Sequence, residues 1–105
     1  MKEIKAYIRR HMVDSVLDAL AALPQAPGVT VIPVQGFGHP KSDGPFRLVE
    51  RTRLEMVVSE AQVEAVVDCI LRHARTGAFG DGKIFVSPVD MAVRIRTGER
   101  GEEAL

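Results

Sequence analysis

Within 105 residues the hydrophobic period of this chain switches twice from two residues to about three and a half and back, and few architectures accept that order. Ile4, Ala6 and Ile8 alternate with Lys5, Tyr7 and Arg9, which predicts a half-buried strand at the start. Val13, Val16, Leu17 and Leu20 then fall at helical spacing, and Pro24 followed by Pro27-Gly28 ends that helix in a turn. A second strand is expected from about Val29 to Val34. After Gly36-Phe37-Gly38 the pattern dissolves into turn formers from His39 to Pro45, which predicts a mobile loop. Alternation returns from Arg53 to Ser59 as a third strand. Ser59 and Gln62 have the spacing of a capping box, ahead of Val63, Val66, Val67, Ile70 and Leu71, so a second helix is expected to end near Gly77. Lys83 to Ser87 supplies a fourth strand, and the tail through Arg96 reads as extended.

The resulting order, β-α-β-β-α-β, predicts an α+β, ferredoxin-like sandwich with two helices on one face of an antiparallel sheet. Val57 and Phe85 fall on the face that the helices leave open, which points to cover by another subunit. A chain of 105 residues builds one domain, small enough for oligomerisation to help stabilise it. Lys and Arg total 14 against 14 Asp and Glu, so no global field favours nucleic acid, and any arginine that binds an anion does so locally. Cys69 stands alone and the N-terminus has no long apolar stretch, so a cytoplasmic protein without disulfides is expected.

Two segments of the last third seek anions. Thr76 to Val86 sets Gly77, Gly80, Gly82 and Lys83 just ahead of an apolar strand, where backbone N–H groups can approach an anion closely and an ammonium can neutralise it. It is no P-loop, because it lacks the Gly-Lys-Ser or Gly-Lys-Thr step into a helix. Arg94-Ile95-Arg96-Thr97-Gly98-Glu99 alternates arginine with isoleucine. An extended backbone there would send both guanidinium groups to one face, where they can hold a polyphosphate. Each has a plainer reading when taken alone: a turn for the first, a solvated strand face for the second. His39 is the histidine most accessible to a metal, yet only Asp43 and Glu50 stand near it in sequence, so an exposed spectator is the simpler reading. Cys69 reads as packed core. With five aromatic residues in all, Phe37, Phe46, Phe79 and Phe85 read as packing and not as a base-stacking platform.

Gly36-Phe37-Gly38, Thr76 to Val86 and Arg94 to Glu99, in that order, resemble three motifs of the PII family of signalling proteins, and the resemblance spans essentially the whole chain. It implies a homotrimer that binds ATP or ADP in clefts between subunits and regulates a transporter, an enzyme or another regulator by contact. It further implies a mobile T-loop over about 39–50, a B-loop over 76–83 and a C-terminal loop over 94–105. Carried over by residue, Gly80, Asp81, Gly82 and Lys83 would surround the phosphates, with Arg94 and Arg96 joining from across a subunit boundary. Ile8, Thr30 and Val57 would line the adenine and ribose part, with Gly36, Phe37 and Gly38 as its upper edge. The partner-binding loop would hold His39, Pro40, Lys41, Ser42, Asp43 and Gly44, with Arg51 at its base. Departures mark a divergent member. Pro40 stands where members that sense 2-oxoglutarate carry a magnesium-ligating glutamine, and Arg51 where they carry a lysine. The loop is short, and the only tyrosine, Tyr7, lies in the first strand and not in the loop. The expected function is therefore non-enzymatic nucleotide sensing that does not depend on 2-oxoglutarate. The alternative is a metal- or small-anion-responsive regulator using the shortened loop, and a weak nucleotidase ranks last.

Overall fold

The computed structural model of the chain describes every residue except Pro40 and Ser42. Four strands, β1 (Lys2–Ile8), β2 (Thr30–Gly38), β3 (Arg47–Val58) and β4 (Lys83–Pro88), form one antiparallel sheet in the order β2-β3-β1-β4. Helices α1 (Val13–Ala21) and α2 (Val63–Ala74) pack together on one face, each entered through a single 3-10 turn. This is the expected ferredoxin-like βαββαβ sandwich. No helix among the described residues is long and apolar enough to cross a membrane.

Register fixes which side chains meet the helices. Ile4, Ala6 and Ile8 of β1 lie opposite Met56, Leu54 and Thr52 of β3, and all six are buried. Val16 and Leu20 of α1 and Val66, Cys69 and Ile70 of α2 close over them. Period two in the strands and 3.6 in the helices thus converge on one apolar layer. The predicted capping box is present: Gln62 Oε1 accepts from the Ser59 N–H at 3.2 Å and from Ser59 Oγ at 3.0 Å. Burial pushes the Cys69 thiol pKa up, in keeping with a packed cysteine and not a reactive one.

The opposite sheet face carries Glu3, Lys5, Tyr7, Arg53, Glu55 and Val57 from the two central strands, all half-buried although nothing covers them in a single copy. Glu3 and Lys5 pair at 3.6 Å. Arg53 Nε lies 2.8 Å from Glu55 Oε1 but off the line that a hydrogen bond needs, so that contact is ionic. Phe85 stacks edge-on against Tyr7 at 5.9 Å and stays exposed, as the sequence places it.

Three boundaries differ from expectation. β2 continues to Gly38 and β3 begins at Arg47, because Gly36, Phe37 and Gly38 pair with Val49, Leu48 and Arg47. The turn formers therefore need to span only 39–46, and Arg47 to Glu50 of the expected loop are strand. The molecule is accordingly elongated, 49 × 23 × 19 Å, with this hairpin projecting past the end of β1. Helix α2 stops at Ala74, short of Gly77, and the C-terminal segment is not extended at its arginines. Val93 bridges to Arg100, the Arg94 N–H donates to the Glu99 carbonyl, and the tip turns through Gly98 at φ 74°. Glycine with positive φ ends the alternation that the sequence pattern implied.

Leu54 sits at the centre of this layer with no exposed surface. Leu54→Ala is expected to cost about 2 to 5 kcal/mol through lost burial and the cavity left behind, read as a lower urea midpoint with unchanged slope.

Candidate functional site

Where β1 ends, Arg9 turns toward the loop that precedes β4. Its Nε donates to Asp81 Oδ1 at 3.1 Å, and its Nη2 donates to the Phe79 carbonyl at 2.9 Å. Asp81 is the hub. Its carboxylate also accepts the backbone N–H groups of Thr76 and Gly77, both at 2.8 Å, and the Thr76 hydroxyl. Thr76 Oγ1 in turn accepts from the Ala78 N–H at 3.1 Å. The Thr76 hydroxyl, its N–H, Arg9 and the Gly77 N–H together hold the Asp81 carboxyl well below the usual carboxylate range. The side chain of Asp81 therefore shapes the loop from within, and what the loop offers outward is backbone and Lys83.

Three glycines permit that shape. Gly77, Gly80 and Gly82 all have positive φ. At Gly82, φ is 105° and a Cβ would lie 1.7 Å from the Tyr7 carbonyl oxygen, so no side chain fits there. Lys83 begins β4 opposite Tyr7, exposed and without an ion pair among the described residues. Beside it opens a hollow of about 430 Å³ between α2 and the sheet, walled by Ile8, Ile70, Leu71, Ala74 and Ile84.

The expected site residues divide into two groups. Ile8, Gly80, Asp81, Gly82 and Lys83 share the end of the sheet where β1 finishes, and Gly36, Phe37 and Gly38 lie past that end on the β2–β3 hairpin. Val57 pairs with Glu3 near the other end, and Thr30 starts β2 opposite Glu55. Arg94 belongs with Val57. Its Nη2 donates to the Leu105 carbonyl at 2.9 Å, and Leu105 lines a hollow of about 350 Å³ with Val57, Gln25, Ser59 and Glu102. Arg94 Nη1 also lies 3.8 Å from Glu99 Oε1, the pairing that an acidic residue at that spacing allows. Arg96 makes no ion pair among the described residues. Five residue steps along β3 separate Thr52, opposite Ile8, from Val57, or roughly 17 Å at the usual rise. One copy does not bring its glycine loop and its arginine pair together.

At the hairpin tip, His39 Nδ1 lies 2.6 Å from the Gly44 carbonyl, its ring packs edge-on against Phe46 at 3.9 Å, and Phe46 meets Phe37 at 5.4 Å. The Gly44 N–H reaches the Lys41 carbonyl at 3.3 Å. Pro40 and Ser42 lie outside the described residues. Arg51 Nη1 donates to the neighbouring Glu50 carbonyl, and Glu50 Oε2 takes a 2.8 Å contact from Arg10. Among the described residues no group of three His, Cys, Asp or Glu side chains is placed to hold a metal. Sequence reasoning missed Arg9 and Arg10, and it placed Thr76 at the start of the glycine segment without its role in holding Asp81. Arg9 reads there as the polar half of an alternation, and no local spacing links it to a loop some seventy residues away.

The chain is thus a ferredoxin-like sandwich with a clasped glycine-lysine loop at one end and a long hairpin beyond it. The profile of the family described as Nitrogen regulatory protein P-II matches residues 1–99. The chain is 44% identical over 113 aligned positions to the nitrogen regulatory protein P-II of Synechocystis, covering all of both chains. It is 42% identical to nitrogen regulatory protein P-II 2 of Methanothermobacter thermautotrophicus, covering all of this chain and 97% of that one. A crystal structure of Arabidopsis thaliana PII bound to citrate superposes with a TM-score of 0.87 at 43% identity, covering 99% of this chain and 91% of that one. The chain belongs to the PII family of nitrogen-regulatory signal transduction proteins. The first of those alignments runs to 113 positions against the 105 residues of this chain, so gaps in this chain carry the difference.

Gly82→Ala is expected to lower stability by about 2 kcal/mol or more, because the Tyr7 backbone cannot yield and the positive φ is strained for alanine. Chemical denaturation checks it. The Asp81 carboxyl titrates lower in the folded chain than the ~3.9 of an unfolded aspartate, so its contribution is full above that value and fades as pH falls through the folded one. Asp81→Asn should therefore be less stable than wild type at pH 7, with the gap narrowing only below about pH 4.

Proposed function

We propose that this chain is a cytoplasmic, non-enzymatic sensor of adenine nucleotides, acting as a homotrimer with ATP or ADP in the clefts between copies. The observation that carries this reading is the division of the anion-seeking residues between two ends of one sheet. Lys83 and the N–H groups of Gly80 and Gly82 stand at one end, Arg94 and Arg96 toward the other. A head-to-tail contact between copies joins the two, and a head-to-tail contact whose rotation closes makes a ring. The same contact draws Thr30 and Val57 of one copy toward Ile8 and Gly36 to Gly38 of the next, forming the adenine and ribose walls beside the phosphates. The open sheet face, with its half-buried charge pairs, faces the interior of such an assembly.

The hairpin from Gly36 to Arg51 then carries the signal. A nucleotide shifts it only by binding its alternative arrangements unequally, and a partner protein reads the difference through the tip from His39 to Gly44. Lys83 supplies a point charge to the phosphates and Arg94 and Arg96 supply forked donors. No base or nucleophile is assigned a role. The citrate named with the Arabidopsis structure favours a second reading, in which the loop answers a small polycarboxylate and Arg51 and Arg10 are its cations.

Lys83→Ala, or Arg94→Ala with Arg96→Ala, should weaken ATP binding by roughly one to two decades in titration calorimetry, since each lost contact is charge-assisted. Unchanged isotherms for both variants would remove the site. Because Pro40 offers no side-chain ligand, 2-oxoglutarate at millimolar concentration with magnesium should leave ATP affinity unaltered. A saturable isotherm for the keto acid would place the chain among the 2-oxoglutarate sensors.

A further inference from the structure

We propose that Ile95, at the tip of the C-terminal hairpin, inserts into the apolar hollow beside Lys83 of a neighbouring copy and fixes the two halves of the anion site against each other. The inference rests on the reading above that two copies complete the site. Ile95 is 99% exposed, more than any other large apolar side chain of the chain. An isolated exposed isoleucine is unremarkable on a surface, but this one sits between Arg94 and Arg96 on a closed turn. The Arg94 N–H reaches the Glu99 carbonyl at 2.9 Å and the Gly98 N–H reaches the Arg94 carbonyl at 2.7 Å, so the tip moves as one piece. Wherever the arginines dock, Ile95 arrives with them.

The receiving surface lies beside the place the arginines must reach. The hollow is walled by Ile8, Val67, Ile70, Leu71, Ala74 and Ile84, with Gly82 and Lys83 on its rim, and its volume of about 430 Å³ accepts a branched side chain. Leu71 is partly exposed there although it belongs to the apolar side of α2, which is the mark of a surface awaiting cover. Charge decides when cover comes. Arg75 and Lys83 border the hollow and Asp81 is committed to its own loop, so an incoming Arg94 and Arg96 meet like charge unless an anion stands between them. Apolar burial favours the contact, cation repulsion opposes it, and a bound polyphosphate removes the opposition. Nucleotide and assembly are thereby linked, each strengthening the other.

The test uses the full chain carrying Ile95→Cys with Leu71→Cys, oxidised with and without ATP, beside Ile95→Ser in calorimetry and light scattering. Within one copy positions 71 and 95 belong to opposite ends of the sheet, beyond the reach of a disulfide, so a bond between them reports contact between copies. Expected are covalently linked chains whose yield rises with ATP, and ATP affinity in Ile95→Ser lowered roughly tenfold to a hundredfold, the scale of burying one isoleucine. An exposed position keeps the fold of each variant intact. Assembled wild type with no cross-link and unchanged Ile95→Ser affinity overturns the role of Ile95 and leaves the shared site standing. A wild type that stays monomeric with ATP overturns both.

Discussion

Strand β1 is paired on both sides along nearly its whole length, and the rest of the molecule takes its position from that register. A slip of one residue would turn Ile4, Ala6 and Ile8 to the open face and send Glu3, Lys5 and Tyr7 into the helices. Because that exchange is so costly, the end of β1 is a fixed point. Arg9 extends from it to hold Asp81 and Phe79, and the Tyr7 carbonyl sets how closely Gly82 approaches. The glycine loop is therefore located by the central strand of the sheet, although it is itself irregular. That is how a loop without regular structure can present backbone donors in a constant arrangement.

The fold was legible because its signals are local. Period two in β1 and β3 and period 3.6 in α2, with the Ser59–Gln62 cap, define elements without reference to one another, and their order leaves little choice of topology. The hairpin strands were harder to bound. Gly36, Phe37 and Gly38 look like a break, yet they pair with Val49, Leu48 and Arg47, because a ladder opposite a strand can hold glycines that have weak propensity of their own. At the arginines the error ran the other way. Alternation implied an extended segment, and Gly98 in the left-handed region closed it into a turn.

Of the site, residue types were legible and roles were not. Asp81 stood among presumed phosphate neighbours by position, and an acid beside a phosphate is an electrostatic oddity until its four donors are seen. Arg9, which supplies one of them, carries no motif, and Thr76, which supplies two, is marked in the sequence only as the first residue of the glycine segment. Nor does a sequence reveal that Lys83 and Arg94 occupy opposite ends of one sheet, since that fact belongs to the register of β1 with β4 and to the fold of the tail over Val57.

Cys69, the one thiol of the chain, lies buried in α2 with its pKa raised by that burial. The sulfur lines a hollow between α1 and α2 with Ala19, Ala22 and Arg72, and burial that favours its protonated form slows thiolate chemistry there until the helices part. The protein thus carries a native reporter of its own breathing: the speed at which an alkylating reagent consumes Cys69 measures how often the helical layer opens. Any event that tightens the sandwich, at whichever end of the sheet it occurs, slows that clock.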